Sequence, residues 1–408
     1  MTHLQVVIGK RGRFCAAFLM AGLLAATPGV AAAWVSVANK ALTLNQGVAA
    51  TATPADTPVQ IAVSLRLHNT NQLEAFKRAL HTPGNPAYGQ YLAKGQFDAL
   101  YGPTPSEAKA VSDYLARSGF GNIQVSEGRE LITASGTAAQ LQKAFNVSLA
   151  SYTWRGKTYH LNTTDVQVPD ALGSIVASVM GVSDYPLMHL HRAVPQADYT
   201  VPFRSAKTVA AVVPKVQASQ SAIAPKVALS AASPNAGAAV THNGYSAAAF
   251  QTAYNATPVA TGHTVSLAIS TLESDLVNVI HDLRLAEHIN NLPVIPVRVV
   301  QVTAVATTNN ADAEGEWDLD SQSSSGIAQN LKELVFYNAT DFSDANLTPA
   351  LQRFADDDTS QIGNMSYGGC ESLDATGSFP AYETAFIKAV MQGQTWFAKP
   401  PWKVDFRN

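Results

Sequence analysis

Cysteine and charged residues are both scarce in this sequence. The 408 residues include two cysteines, and charged side chains make up 14% of the chain. So few thiols exclude a disulfide-rich scaffold and argue against a zinc site built from cysteines. The formal net charge is -3, which argues against a general nucleic-acid surface. A hydrophobic content of 47% is typical of a globular protein with a buried core.

Cofactor motifs are missing as well. No glycine-rich phosphate-binding loop occurs, so nothing indicates a nucleotide cofactor. His189 and His191 are separated by one residue but have no visible third ligand, so we interpret them as surface residues. We therefore predict no metal site among these residues.

The N-terminal 33 residues have the pattern of an export signal. Lys10, Arg11 and Arg13 precede the apolar run from Phe14 to Leu24, and small residues end at Ala33. The alternative is an uncleaved anchor, but the apolar run is shorter than the ~20 residues of a spanning helix. We expect a signal peptide over residues 1–33, secretion to the periplasm or the medium, and no stable membrane anchor after its removal.

Residues 55–193 are expected to form a small α+β domain. Apolar residues alternate from Ile61 to Leu67, as in a half-buried strand, and another strand is predicted near Leu131. Thr104 with Glu107, and Thr137 with Gln140, are the capping boxes of two predicted helices. Strand pairs mixed with crossing helices favour a ferredoxin-like arrangement.

A linker follows the first domain. Residues 194–239 are rich in Ala, Ser, Val and Pro and show no sustained periodicity. Exposed irregular segments between domains are cleaved readily, so we predict a processing site here.

Residues 240–397 alternate strand and helix patterns. Strands are predicted at Val265–Ile269, Pro293–Val302 and Ile362–Ser366, and a helix is predicted to carry Ile327 and Leu331. This alternation favours a parallel sheet covered by helices on both faces. Ligands of such sheets bind at the carboxyl ends of the strands.

One acidic cluster is a candidate for chemistry. If Glu316 to Asp320 is helical, the two carboxylates lie one turn apart on the same face. One interpretation is a solvated helix start, where carboxylates favourably face the positive end of the helix dipole. The other is a pair in which one carboxyl has a raised pKa and exchanges protons under acidic conditions.

Several ordered motifs resemble the sedolisin family, the serine-carboxyl peptidases. The first domain resembles their pro-enzyme activation domain at Pro83–Leu92, Tyr101–Thr104 and Ser135–Thr137. Gly315–Ser321 resembles the acidic active-site helix, and Asn364–Glu371 the Ser-X-Gly-X-Cys-Glu segment. The resemblance spans most of the chain from Gln60 to Phe397.

The resemblance implies catalytic roles for two residues. Glu316 would be the general base for a nucleophilic serine, and Asp320 would hydrogen-bond to it and orient it. The strand end of Ser366, Tyr367, Gly368 and Gly369 would bind the substrate, because an extended peptide can pair with its backbone. A small-residue strand end without such a role remains open for Ser366. The second domain would be subtilisin-like.

The sequence departs from the family pattern after Phe397. Family members continue into Ser-Gly-Asp-X-Gly, with the oxyanion-site aspartate, and then Gly-Thr-Ser, with the nucleophile and a calcium site. These 408 residues contain neither string. We therefore expect an aberrant tail at residues 398–408, a catalytic domain incomplete at its C-terminus, and no calcium site, as in a truncated or frameshifted gene.

Two functions remain open. The first is a secreted serine-type endopeptidase precursor that cleaves proteins or peptides at acidic pH, with the first domain as partner of its own catalytic domain. The second is an inactive relic whose activation domain binds a related protease as an inhibitor or folding aid.

Overall fold

The computed structural model describes residues 33–190, 203–205, 247–255, 262–369 and 377–398. Residues 34–190 are called the first part below, and residues 247–398 the second part. Apart from Ala33, the predicted signal peptide lies outside the described residues. Three more segments lie outside the described residues: the predicted linker apart from residues 203–205, the segment Cys370–Glu371, and the tail beyond Ala398. Among the described helices, none combines the length and the hydrophobicity that crossing a bilayer requires.

The first part contains most of the strands. Its strands are β1 (Trp34–Ser36), β2 (Leu42–Leu44), β3 (Ala50–Ala52), β4 (Pro58–Leu65), β5 (Gly121–Val125), β6 (Leu131–Thr137), β7 (Leu149–Trp154), β8 (Lys157–Asn162), β9 (Gln167–Pro169), β10 (Val176–Met180) and β11 (His189–Leu190). Its helices are α1 (Thr70–Leu80), α2 (Gln96–Leu100), α3 (Pro105–Arg117), α4 (Ala138–Ala144) and α5 (Asp170–Gly173).

Strands and helices alternate in the rest of the chain. These elements are β12 (Phe203–Ser205), α6 (Ala247–Ala253), β13 (Ser266–Leu272), α7 (Val277–Ile289), β14 (Val297–Gln301), α8 (Ala311–Ala328), β15 (Glu333–Ala339), α9 (Asp344–Asp357), β16 (Ile362–Met365), β17 (Tyr367–Gly368), α10 (Phe379–Met391) and β18 (Thr395–Ala398).

The main sheet of the first part is antiparallel, with the strand order β10-β4-β6-β5. Helix α3 lies between β4 and β5 in the chain, and α4 lies between β6 and β10. This connectivity and strand order match the ferredoxin-like β-α-β-β-α-β arrangement that the sequence predicted.

Both predicted capping boxes are present. Thr104 accepts a hydrogen bond from the Glu107 amide, and the Glu107 carboxylate accepts one from the Thr104 amide at 2.8 Å. Thr137 and Gln140 make the same reciprocal pair at the start of α4. Each pair satisfies backbone donors that the first helical turn leaves without a partner.

Three short strands precede residue 55, the predicted start of the first domain. β1 pairs with β9, β2 with β12, and β3 with β7. Each is three residues long, which is too short to show an alternating pattern in the sequence. β12 lies inside the predicted linker, so part of that segment pairs with the first part.

The second part contains a five-stranded sheet in the order β14-β15-β13-β16-β18, with every pairing parallel. One face of β13 packs with Val279 and Leu283 of α7. On the opposite face, Ala268 packs with Phe354 of α9 and Ala389 of α10. The predicted parallel sheet between two helical layers is therefore confirmed.

Two details of the second part differ from the prediction. Leu331 is not helical, because α8 ends at Ala328 and is followed by Gln329 and Asn330, which both have positive φ. Strand β14 begins at Val297 and not at Pro293. Pro293 and Pro296 have no amide hydrogen to donate to a strand ladder, which explains the shorter strand.

Candidate active site

Helix α8 carries the acidic cluster. Its N-cap residue Asn310 accepts a hydrogen bond from the Asp312 amide at 3.0 Å. The helix continues without a break to Ala328, so Glu316 and Asp320 lie one turn apart on one face. Glu316 and Asp320 thus have the helical stacking that the sequence predicts for an interacting pair.

Trp317 fixes α8 against the sheet. Its side chain is fully buried, and its indole Nε1 donates to the Leu272 carbonyl oxygen at 2.9 Å. Leu272 is the last residue of β13. The acidic helix is therefore held at the carboxyl end of the central strand, where ligands bind in parallel sheets.

Asp320 is the more buried carboxylate of the pair. Its residue exposure is 9%, whereas Glu316 is half-buried. Ser366 Oγ donates a hydrogen bond to Asp320 Oδ1 at 2.7 Å. The pKa of Asp320 is raised to about 6, because burial and the Glu316 charge together outweigh the opposing effect of the Ser366 hydroxyl and the Asn364 amide.

The two interpretations of the acidic cluster apply to different residues. Asp312 and Glu314 lie in the first turn of α8, where the helix dipole favours negative charge. Asp320 lies too far along the helix for that effect, and its pKa is raised, not lowered. A solvated helix start thus accounts for the first turn but not for Asp320.

Ser366 connects β16 to β17, the predicted substrate-binding strand end. Its neighbour Tyr367 is fully buried and donates from its hydroxyl to Ser270 Oγ at 2.6 Å. The Tyr367 ring also packs edge-on against Trp317, with ring centroids 6.4 Å apart. The strand end and the acidic helix thus share one packed layer.

The backbone of β17 already pairs with an extended segment. His189 lies opposite Gly368 and Leu190 opposite Tyr367, in antiparallel register. A Cβ atom on Gly369 would lie 2.6 Å from the Leu187 carbonyl oxygen. The residues that end the first part therefore lie along this strand end, and glycine permits their close approach.

His189 itself is in β11 and not in a recognised metal site. Burial lowers the pKa of its imidazole to about 4, with the Arg155 charge as a second cause. Within the described residues, no group of three His, Cys, Asp or Glu side chains is arranged to hold a metal ion. His191 lies outside them, and the absence of the family's calcium site stays a prediction.

Sequence reasoning missed two residues of this site. Asn364 Nδ2 donates to Ser366 Oγ at 3.3 Å, and Ser270 receives the Tyr367 hydroxyl. Asn364 lies in the Asn364–Glu371 motif, two residues before Ser366. Asn364 and Ser270 are single polar residues within strands β16 and β13, and no sequence pattern marks either as part of a site. No sequence pattern predicts the pairing of β11 with β17 either, because it joins residues far apart in the chain.

Comparisons with known proteins identify relatives for both parts. Residues 45–185 match the family model described as "Pro-kumamolisin, activation domain". The chain is 31% identical over 359 residues to xanthomonalisin of Xanthomonas sp. (strain T-22). The aligned region covers 86% of this chain and 40% of that protein. It is also 31% identical over 342 residues to sedolisin of Pseudomonas sp. (strain 101), covering 82% of this chain and 52% of that protein.

Among solved structures, a match is Pseudomonas sedolisin (serine-carboxyl proteinase) complexed with two molecules of pseudo-iodotyrostatin. The sequence identity is 28%, the TM-score is 0.36, and the match covers 38% of this chain and 44% of that chain. The present chain thus spans about half the length of the curated relatives, or less. The sequence matches to xanthomonalisin, to sedolisin and to the activation-domain model together relate this chain to the sedolisin family of serine-carboxyl peptidases.

Proposed function

We propose that the protein carrying this chain is a secreted serine-type endopeptidase of the sedolisin type, made as a precursor and active at acidic pH. The observation that carries the proposal is the junction of α8 with the β16–β17 turn. There a buried carboxyl group, Asp320, is bonded to Ser366, and the next two residues pair with an extended segment of the chain. An acid–base group and a peptide-binding edge thus lie side by side.

In this proposal Glu316 is the general base for a serine nucleophile, and Asp320 orients it. A carboxylate stays ionised to a lower pH than a histidine base stays neutral, so a serine activated by a carboxylate can work in the acidic range. The pKa of about 6 for Asp320 allows that group to exchange protons under mildly acidic conditions. The nucleophile and the oxyanion-site aspartate are assigned to no residue of this chain, because the family strings that hold them are not in its sequence.

The substrate would bind by adding a strand to the Ser366–Gly369 edge. The antiparallel pairing of His189–Leu190 with Tyr367–Gly368 supports this proposal, because an extended segment of the chain already pairs there. Main-chain hydrogen bonds of this kind can form with peptides of many sequences, as an enzyme that acts on proteins and peptides requires. We assign the parallel sheet to the front of a subtilisin-like catalytic domain.

The first part would act as the activation domain of the precursor. The export signal at residues 1–33 and processing within residues 194–239 complete this scheme and place the mature protein outside the cytoplasm. Processing between the two parts would free the β17 edge from β11 and open it to substrate.

The test is a peptidase assay on the protein expressed from its full gene, with any residues that the gene encodes after Asn408. Quenched fluorescent peptides are incubated with it from pH 3 to pH 8. We expect cleavage at acidic pH that is lost in Glu316→Gln and Asp320→Asn and kept in Glu314→Gln, a matched carboxyl on the same helix. Absence of cleavage at every pH, or equal cleavage by wild type and Glu316→Gln, overturns the proposal.

A second candidate function is binding of a related protease by the first part. It is favoured by a buried ion cluster in which Glu130 and Asp98 of the first part contact Lys388 of the second part. Such contacts hold an activation domain on a catalytic sheet whether or not that sheet is active. Inhibition of an intact sedolisin-type peptidase by the purified chain, without cleavage of its own, supports this function, and absence of inhibition overturns it.

A further inference from the structure

The hydrogen bonds of the Ser366 side chain indicate a role other than contact with substrate. Its Oγ donates to Asp320 Oδ1 at 2.7 Å and receives the Asn364 amide at 3.3 Å. A hydroxyl group has one hydrogen to donate, and here that hydrogen is used for Asp320. The hydroxyl is therefore committed to a chain from Asn364 through Ser366 to the carboxyl group.

The two oxygens of Asp320 have different surroundings. Oδ1 accepts the Ser366 hydroxyl, whereas Oδ2 is buried and has no hydrogen-bond partner among the described residues. An ionised carboxylate in this position has only one stabilised oxygen, and leaving a buried polar atom without a partner is costly. A proton on Oδ2 removes the charge and leaves the Ser366 bond in place.

The charges around Asp320 do not favour its ionised form. Within the described part of the chain, the groups that act on it are the Glu316 carboxylate, one turn earlier on α8, the Ser366 hydroxyl and the neighbouring Asn364 amide. The phenol of Tyr367, from β17, is the other titratable neighbour, and it is uncharged because burial raises its pKa. Ser366 is therefore a principal contact that stabilises the carboxylate.

We propose that Ser366 is a positioning residue for Asp320, which fixes Oδ1 as an acceptor and leaves Oδ2 as the oxygen that gains and loses the proton. This inference rests on the proposed function, because it assigns the proton-exchanging atom of the same acid–base pair. Ser366 also directly precedes the Tyr367–Gly368 edge, so the residue that orients the acid is joined to the peptide-binding strand.

The experiment is a titration of the aspartate carboxyl carbons by NMR in the full chain, with Asp320→Asn used for assignment. In Ser366→Ala the loss of a charge-assisted hydrogen bond is expected to raise the proton affinity of Asp320 by roughly tenfold. Ser366→Thr keeps a hydroxyl and is expected to restore the wild-type titration. Ser325→Ala is the matched control, because its hydroxyl bonds to the Ser321 carbonyl on the same helix and not to Asp320.

A titration of Asp320 that is unchanged in Ser366→Ala overturns the inference. If that variant does not fold, Ser366→Cys is used, since a thiol is a weak donor of similar size, and it must raise the proton affinity in the same direction. The titration does not depend on cleavage of a peptide substrate. Failure of the peptidase assay therefore leaves it intact, and an unchanged titration leaves the peptidase proposal standing.

Discussion

Lys388 Nζ donates a hydrogen bond to Glu130 Oε1 at 3.3 Å, a contact between residues 258 positions apart in the chain. The same ammonium group lies 2.5 Å from Asp356 Oδ1 and 2.5 Å from Asp98 Oδ1. Lys388 and Glu130 are each 1% exposed. Three carboxyl groups and one ammonium group are thus enclosed where the first part meets α9 and α10. This group of four is called the Lys388 cluster.

Replacing Lys388 with methionine should destabilise the protein strongly. The variant removes the positive charge and leaves the carboxyl groups of Glu130 and Asp356 buried without it. Removing one partner of a buried ion pair costs about 3–5 kcal/mol. Denaturant unfolding followed by circular dichroism measures the change.

Lys109→Met is the control for this prediction. Lys109 pairs with Asp113 on the surface, and its side chain is 73% exposed. A surface pair of this kind contributes little to stability, because both charges are solvated by water and screened by salt. Equal effects of the two substitutions would show that the Lys388 cluster does not stabilise the fold.

Stability should fall as the pH rises toward 8 because of Glu130. Burial raises its pKa to about 8, with the negative charges of Asp356 and Asp98 acting in the same direction and Lys388 opposing. A raised pKa in the folded state gives a stabilisation that is complete below the unfolded value of 4.5 and is lost as pH rises through about 8. The free energy of unfolding should therefore decrease from about pH 5 to about pH 8 and change little above that.

Glu130→Gln isolates this effect, because the amide does not titrate. The free energy of unfolding of this variant, measured at pH 6, 7, 8 and 9, should change less with pH than that of the wild type. Glu74→Gln, at an exposed pair with Lys77, should keep the wild-type pH dependence. Parallel curves for the wild type and Glu130→Gln would contradict the assignment.

Gly369→Ala should loosen the segment that lies along β17. The new Cβ would lie 2.6 Å from the Leu187 carbonyl oxygen, a backbone atom that can move only if its segment shifts. Hydrogen exchange at the amides of His189 and Leu190 should become faster. Gly315→Ala is a contrasting variant, since nothing lies within 4 Å of its Cβ position, and it should leave that exchange unchanged while stabilising α8 by about 0.5–1 kcal/mol. Unchanged exchange in Gly369→Ala would mean that β11 does not depend on this contact.

Tyr367→Phe should remove the hydrogen bond to Ser270 and leave a buried hydroxyl without its donor. The expected loss of stability is about 1–3 kcal/mol. Ser270→Ala removes the other partner, and the double variant closes a thermodynamic cycle measured by thermal or denaturant unfolding. A coupling energy of about 1 kcal/mol is expected. Strictly additive effects would rule out the 2.6 Å contact as a stabilising bond.

Local features of the fold could be predicted from the sequence. The capping boxes at Thr104 and Thr137 depend on residues three positions apart, and the strand at Ile61 depends on alternation over a few residues. The helical stacking of Glu316 and Asp320 follows from the same local logic. In each case the interacting groups lie within about one turn or one strand of each other.

The rest depends on contacts between distant residues. Nothing near Lys388 in the sequence indicates that it meets Asp98, because each is an ordinary charged residue in its own helix. The bond between Ser366 and Asp320 joins positions 46 apart, so the sequence resemblance assigned Ser366 to the substrate edge without indicating the carboxyl contact. Short strands such as β1 pair with distant partners and have too few residues to show a period.

The Lys388 cluster also has a consequence for the order of folding. Loop-closure entropy grows only with the logarithm of loop length, by about 0.6 kcal/mol for each doubling, so the distance between Glu130 and Lys388 along the chain is a minor obstacle. The dehydration of the four ionisable groups is a larger obstacle to folding, and it cannot occur until both parts have formed and come together. The association of two preformed parts is thus the folding step at which these charges lose their water, and its rate should be the one most sensitive to dissolved salt.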